Sequence, residues 1–178
     1  MKPLPLLAAL LALPALPVLP AAAQEAQEDA PGRANAVVVG LDGDSIGDAA
    51  FRAARTTGLV VELELRNLPP DQWVAVHVHE TGACDPATGF ESAGGHFNPA
   101  EAAHGYFADT GPHAGDLPNQ HVDADGRLLA QIFAPLLSLD GGEADPRGRA
   151  ITVHSAADDY ASQPSGGAGD RLACGVIE

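Results

Sequence analysis

Residues 59–66 alternate strictly: Leu59, Val61, Leu63 and Leu65 share one face, while Val60, Glu62, Glu64 and Arg66 share the other. A period of two with an acidic outer face is the pattern of a half-buried antiparallel strand. The alternation resumes over residues 73–79, with Val74, Val76 and Val78 on the apolar side, after a break at Asn67-Leu68-Pro69-Pro70-Asp71. Residues 35–41, 49–54, 127–134, 149–154 and 172–177 are shorter strand candidates, and Asp123-Ala124-Asp125-Gly126 reads as a hairpin turn. No stretch holds a helical period for three turns. The chain is expected to be all-β, a sandwich or a barrel.

Charge excludes several partners. Against 24 acidic side chains stand nine Lys and Arg, giving a formal charge of −15. No basic stretch exists to displace counterions from nucleic acid or to bind an anionic membrane surface. Lys2 is the single lysine; it precedes an apolar run ending at Ala21-Ala22-Ala23, the parts of a secretory signal peptide over residues 1–23. Pro14, Pro17 and Pro20 argue against reading that run as a spanning helix. Residues 24–34 read as a flexible acidic tail and residues 35–178 as one domain. The mature protein is expected to be exported, to a periplasm or outside the cell, and free of the membrane. In such a compartment Cys84 and Cys174 are expected to pair. A disulfide closing about 90 residues contributes up to about 4–5 kcal/mol in the loop-entropy picture.

Residues 80–120 form a long irregular region with seven glycines and four prolines, too long to be left structureless without cross-links. Cys84 supplies one; histidines supply the others. His77 and His79 lie one residue apart on a strand and so project from one face, while Val76 and Val78 project inward. His154 repeats this arrangement opposite Ile151 and Val153. These three are expected outside the apolar core, placed to converge on a metal ion. In the loop, His96, His104, His113 and Asp116 make a three-His, one-Asp set suited to structural zinc, whose binding would order the loop. His121 reads as a bystander at the start of a further strand. Other metal folds fit poorly: His79 is followed by Glu80-Thr81-Gly82, wrong for a His-x-His-x-Asp-His hydrolase. A cupin would want Glu where Ala83 and Cys84 stand.

With these residues in view, the chain resembles copper/zinc superoxide dismutase in its exported bacterial form. The resemblance spans nearly all the mature chain and is densest in VHVHETGACDP (76–86), AGGHFNP (93–99), HGYFADTGPHAGDLPN (104–119), ITVHSAADDY (151–160) and GAGDRLACGVI (167–177). It implies an eight-stranded Greek-key β-barrel of immunoglobulin-like form, carrying one copper and one zinc ion per chain. His77, His79, His96 and His154 would bind copper. His96, His104, His113 and Asp116 would bind zinc, with His96 bridging the two ions. Asp158 would link a copper histidine to a zinc histidine, Arg171 would stand beside the open copper position, and Cys84–Cys174 would be the family disulfide. The implied reaction converts superoxide to O₂ and H₂O₂ by copper cycling between Cu(II) and Cu(I), with His96 and Arg171 as catalytic residues. Monomer and homodimer both remain open.

One departure from lysine-rich relatives stands out. Residues 155–170 contain no basic side chain, and Asp158, Asp159 and Asp170 add negative charge. Weak ionic-strength dependence of the rate is therefore expected. Two other readings compete with it: an exported, non-catalytic copper/zinc-binding protein on the same fold, and a structural adhesion module. The latter leaves the histidine spacing unexplained. The acidic stretch 140–145 reads as a solvated loop.

Overall fold

The computed structural model describes residues 32–178; the expected signal peptide, 1–23, lies outside the described residues, as does most of the expected tail. Nine strands follow in order: β1 (Arg33–Gly40), β2 (Ser45–Ala53), β3 (Leu59–Leu65), β4 (Gln72–Val74), β5 (Val76–His79), β6 (Gln120–Val122), β7 (Leu128–Ala134), β8 (Ala150–His154) and β9 (Arg171–Val176). Two short 3-10 turns, Pro86–Thr88 and Glu91–Ala93, are the helical elements among the described residues. Seven strands form one antiparallel sheet in the order β5-β8-β9-β1-β2-β3-β7, and β4 pairs with β6. Every strand contributes to a single hydrophobic cluster, from Val38 and Phe51 through Leu63 and Val74 to Val122, Ile132 and Val153. One core shared by all nine strands means that the sheet curls on itself, with the β4–β6 ribbon closing it.

The eight strands expected become nine segments for a local reason. The run 73–79 is interrupted at Ala75, whose N–H donates to Ala156 O and whose carbonyl accepts from His154 N–H. Before Ala75 the chain pairs with β6; after it, with β8. β1 begins two residues before the expected start and β2 four residues before. The early part of β2 carries no periodic signal, because Ser45-Ile46-Gly47 breaks the alternation. Gly47, at φ +144°, lies under the Glu64 backbone where a Cβ would collide. The turn at residues 123–126 is present: Gly126 N–H donates to Asp123 O, and Asp123 Oδ1 accepts from the N–H groups of Asp125 and Arg127. The stretch 140–145 makes its bonds within its own turns and to Arg147.

β5 is an edge strand, and the fold covers that edge with the long loop. Val78 N–H donates to Gly115 O at 2.8 Å and Val78 O accepts from Phe97 N–H at 2.8 Å, while Gly115 N–H donates to Phe97 O at 2.9 Å. Gly115 has to be glycine, since a Cβ would strike Val78 O. The edge is thereby paired, and the loop is laid across the face that carries the histidines. To the disulfide and the metal-ligand residues expected to order this loop, backbone pairing with β5 adds a third tie.

Candidate metal centre

β5 and β8 are neighbours, with His77 opposite Thr152 and Val76 opposite Val153. Alternation sends Val76, Val78, Ile151 and Val153 into the core and His77, His79 and His154 to the other face. Those histidines lie outside the hydrophobic cluster as expected, yet they are not solvated: the covering loops leave His77, His79 and His154 0%, 1% and 4% exposed. Cys84–Cys174 is formed, with the Cα atoms 5.5 Å apart.

Two groups of ligand-type side chains result, His77/His79/His96/His154 and His96/His104/His113/Asp116. In each, one potential ligand atom per residue lies within 4.8 Å of all the others. In the first group, hydrogen bonds settle which nitrogens are free. His77 Nε2 is 2.9 Å from Asp158 Oδ2 and His79 Nδ1 is 2.9 Å from Gly94 O, which leaves His77 Nδ1 and His79 Nε2. His154 Nε2 is 3.3 Å from His79 Nε2. In the second group three ring nitrogens crowd one carboxylate oxygen: Asp116 Oδ1 lies 2.8 Å from His96 Nδ1, 3.1 Å from His104 Nδ1 and 3.3 Å from His113 Nδ1. Ligands about 2.0–2.1 Å from a tetrahedral ion sit about 3.3 Å from one another, so these spacings suit a single ion. Asp116 Oδ2 is oriented by the N–H groups of Gly105 and His113. His96 presents Nδ1 to this group, and its Nε2 is buried without a hydrogen-bond partner, as is His77 Nδ1. Buried orphan nitrogens are costly unless something binds them; a metal ion does so.

Asp158 ties the groups together: its Oδ2 takes His77 Nε2–H, and its Oδ1 is 3.0 Å from His104 Nε2. Its backbone is held on both sides by the Asn119 side chain at 2.8 Å, and Asn119 N–H donates to the Tyr160 hydroxyl. The family resemblance implies a role for Asp158 but gives no sign of Asn119 or Tyr160. They follow no periodicity, and only the fold brings residues 119 and 158 together. His121 stands exposed on β6 against Trp73, with ring centroids 5.2 Å apart, outside both groups.

Electrostatics favours metal in unequal ways. Burial lowers His77 to about 4, His79 to about 3 and His154 to about 2, so these imidazoles are neutral and ready to ligate at neutral pH. Burial also pulls His104 down, but its hydrogen bonds to Asp116 and Asp158 prevail and raise it to about 9. A metal entering there displaces a proton. Burial pushes Asp116 and Asp158 up, but hydrogen bonds from the surrounding histidines outweigh it and hold both carboxyls well below the usual range.

Arg171 donates from Nη1 to Phe90 O at 2.6 Å and from Nη2 to Gly94 O at 2.7 Å. It faces a cavity of about 240 Å³ lined by His79, His96 and His154, together with Glu91 and Ser165. Larger hollows, one beside Val37 and the disulfide and one beside Arg66, carry no histidine; size alone does not mark the site.

Gly166 gives a direct test of the Asp158 link. At φ +68°, it packs so closely that a Cβ would overlap Asp158 Oδ1 and His104 Nε2. Gly166→Ala is expected to weaken metal binding at the His104 group about tenfold, as loss of a ligand's orienting partner does. Chelator competition measures it, and unchanged affinity would show that the loop yields without disturbing Asp158.

A family model described as copper/zinc superoxide dismutase matches residues 45–177. The chain is 41% identical over 150 residues to superoxide dismutase (Cu-Zn) 1 of Aquifex aeolicus, spanning 82% of this chain and 88% of that protein. It is 42% identical over 151 residues to superoxide dismutase (Cu-Zn) of Caulobacter vibrioides, spanning 82% and 85%. The crystal structure of a SOD-like protein from Bacillus subtilis matches with a TM-score of 0.74 at 38% identity, over 79% of this chain and 95% of that one. Sequence, curled sheet and paired histidine groups agree: the chain belongs to the copper/zinc superoxide dismutase family.

Proposed function

We propose that the protein is an exported superoxide dismutase, with copper held by His77, His79, His96 and His154 and zinc by His96, His104, His113 and Asp116. The observation that carries this is His96, one ring nitrogen in each group, beside a cavity onto which Arg171 opens. Bound copper supplies a one-electron couple, by which one superoxide is oxidised to O₂ and a second, taking two protons, is reduced to H₂O₂. The chain's own residues do the rest. Arg171, fixed by two carbonyls, offers its charge to a small anion in the cavity. His96 Nε2, when not ligating, can hold a proton facing that cavity and hand it to the departing product. Asp158 and the Gly94 carbonyl keep His77 and His79 in the ring orientations that ligation needs.

Export rests on the basic-apolar-small pattern of residues 1–23, with cleavage after Ala23, and the disulfide fits that compartment. The mature protein is read as free of membrane and nucleic acid, a monomer or a homodimer.

The test is dismutation by the mature, disulfide-intact protein loaded with zinc alone or with zinc and copper. Activity is expected only with copper, falling at least about a hundredfold in His154→Ala as a copper ligand is lost. Stoichiometric binding of both metals without activity would instead favour a non-catalytic copper- and zinc-binding protein on the same fold.

A further inference from the structure

The cavity that opens on Arg171 carries a second charged side chain with no part in the reaction described above. Glu91 opens the 3-10 turn Glu91–Ala93; Phe90 and Gly94, which flank that turn, supply the two carbonyls that hold the guanidinium. Glu91 Oε2 lies 3.7 Å from Arg171 Nη2, and its side chain is 76% exposed against 13% for Arg171. At that distance the carboxylate is not a hydrogen-bond partner, so the carbonyls, not Glu91, orient the arginine. An ion pair with one partner so exposed adds little to stability. What remains is its charge at the mouth of an anion-binding cavity. The same cavity is lined by Pro164, Ser165 and Gly169, from a segment with no basic residue to offset it.

Given the proposed dismutase reading, on which this rests, we infer that Glu91 is a selectivity residue: its carboxylate stands as a resident counter-anion of Arg171, lowering the affinity for every anion and rejecting dianions more strongly than monoanions. Repulsion scales with the charge of the entering ion. A monoanion such as superoxide meets one unit of opposition, and a hydrogen phosphate ion of the exported compartment meets two. Residues 155–170 hold no lysine to attract anions, and Glu91 makes Arg171, the one basic residue lining the cavity, a site for small, singly charged ions.

The experiment compares the native protein with Glu91→Gln, both loaded with copper and zinc, at low salt and about pH 8, where inorganic phosphate is a dianion. Azide binding is read from the copper absorption and spin-resonance spectra, and phosphate affinity from its competition with azide. Glu91→Gln is expected to tighten azide about fivefold and phosphate about twenty-fivefold, with both differences shrinking as salt is added. Equal tightening of the two anions, or no change in either, overturns the inference, since charge discrimination would then lie elsewhere. Weaker azide binding overturns it too and makes Glu91 a support for Arg171. If the native protein itself shows no azide response with copper bound, there is no open copper position, and the functional reading falls along with the inference. A normal native response alongside an indifferent variant removes the inference alone.

Discussion

Asp158→Asn is expected to lower the affinity of both metal groups together, by about 10- to 100-fold each, the range seen when a partner that orients metal-ligating histidines is lost. The reason is donor arithmetic. The carboxylate accepts from His77 Nε2–H with one oxygen and from His104 Nε2–H with the other, and it also accepts from Tyr160 N–H. An asparagine side chain keeps one acceptor and turns the other into a donor. Whichever way the amide sits, one imidazole faces N–H with N–H. That ring gains by moving its proton to Nδ1, the nitrogen needed for the metal. Asp159→Asn is the control, because among the described residues the Asp159 side chain bonds to Ala161 and Ser162 of its own turn. Copper and zinc affinities are measured separately by chelator competition. Loss at one metal alone would mean that Asp158 serves one histidine and merely touches the other; loss at neither would reduce it to a loop tie.

How far the sequence alone reached follows from which interactions are local. β3 was legible to within a residue because seven residues alternate without interruption and pair on both sides with strands of the same register. The histidine ligands were legible because imidazole is scarce in this chain, seven in all, with two of them one residue apart on an alternating strand; Asp116, one of 24 acidic side chains, was marked by its place among the loop histidines. The start of β2 was not, since Gly47 serves a close backbone approach rather than the alternation. Nor was the covering of the β5 edge, which depends on backbone bonds among residues 78, 97 and 115, far apart in the chain and unmarked by side-chain type. That hidden contact also decides the electrostatics. Alternation said that His77, His79 and His154 leave the core, but only the covered edge makes them buried and neutral.

Buried neutrality gives the metal-free protein a steep acid dependence. In the fold His77, His79 and His154 sit at about 4, 3 and 2, lowered first by burial, against about 6.5 in the unfolded chain. Between those values the unfolded chain holds more protons, so stability falls as pH drops below about 6.5. Each imidazole contributes up to about 1.4 kcal/mol per pH unit, and the three together at most about 4. His104 runs the other way: raised to about 9, its contribution is complete below about 6.5 and is lost as pH climbs toward about 9. Asp116 and Asp158, held below the usual carboxylate range, stabilise the fold above about pH 4 and lose that contribution only in stronger acid. Stability of the metal-free, disulfide-intact protein should therefore peak near pH 6.5–7 and fall by several kcal/mol by about pH 5, on the scale of the whole stability of a domain this size. Urea unfolding at successive pH values measures it. Metal loading should move the acid transition downward, because a bound ion adds to stability wherever it outcompetes protons for the same nitrogens. His79→Gln removes one of the three imidazoles and should take about a third off the acid slope. A flat profile from pH 7 to 5 would mean that the imidazoles accept protons without unfolding, and that the loop across β5 opens to water on its own, independently of any metal.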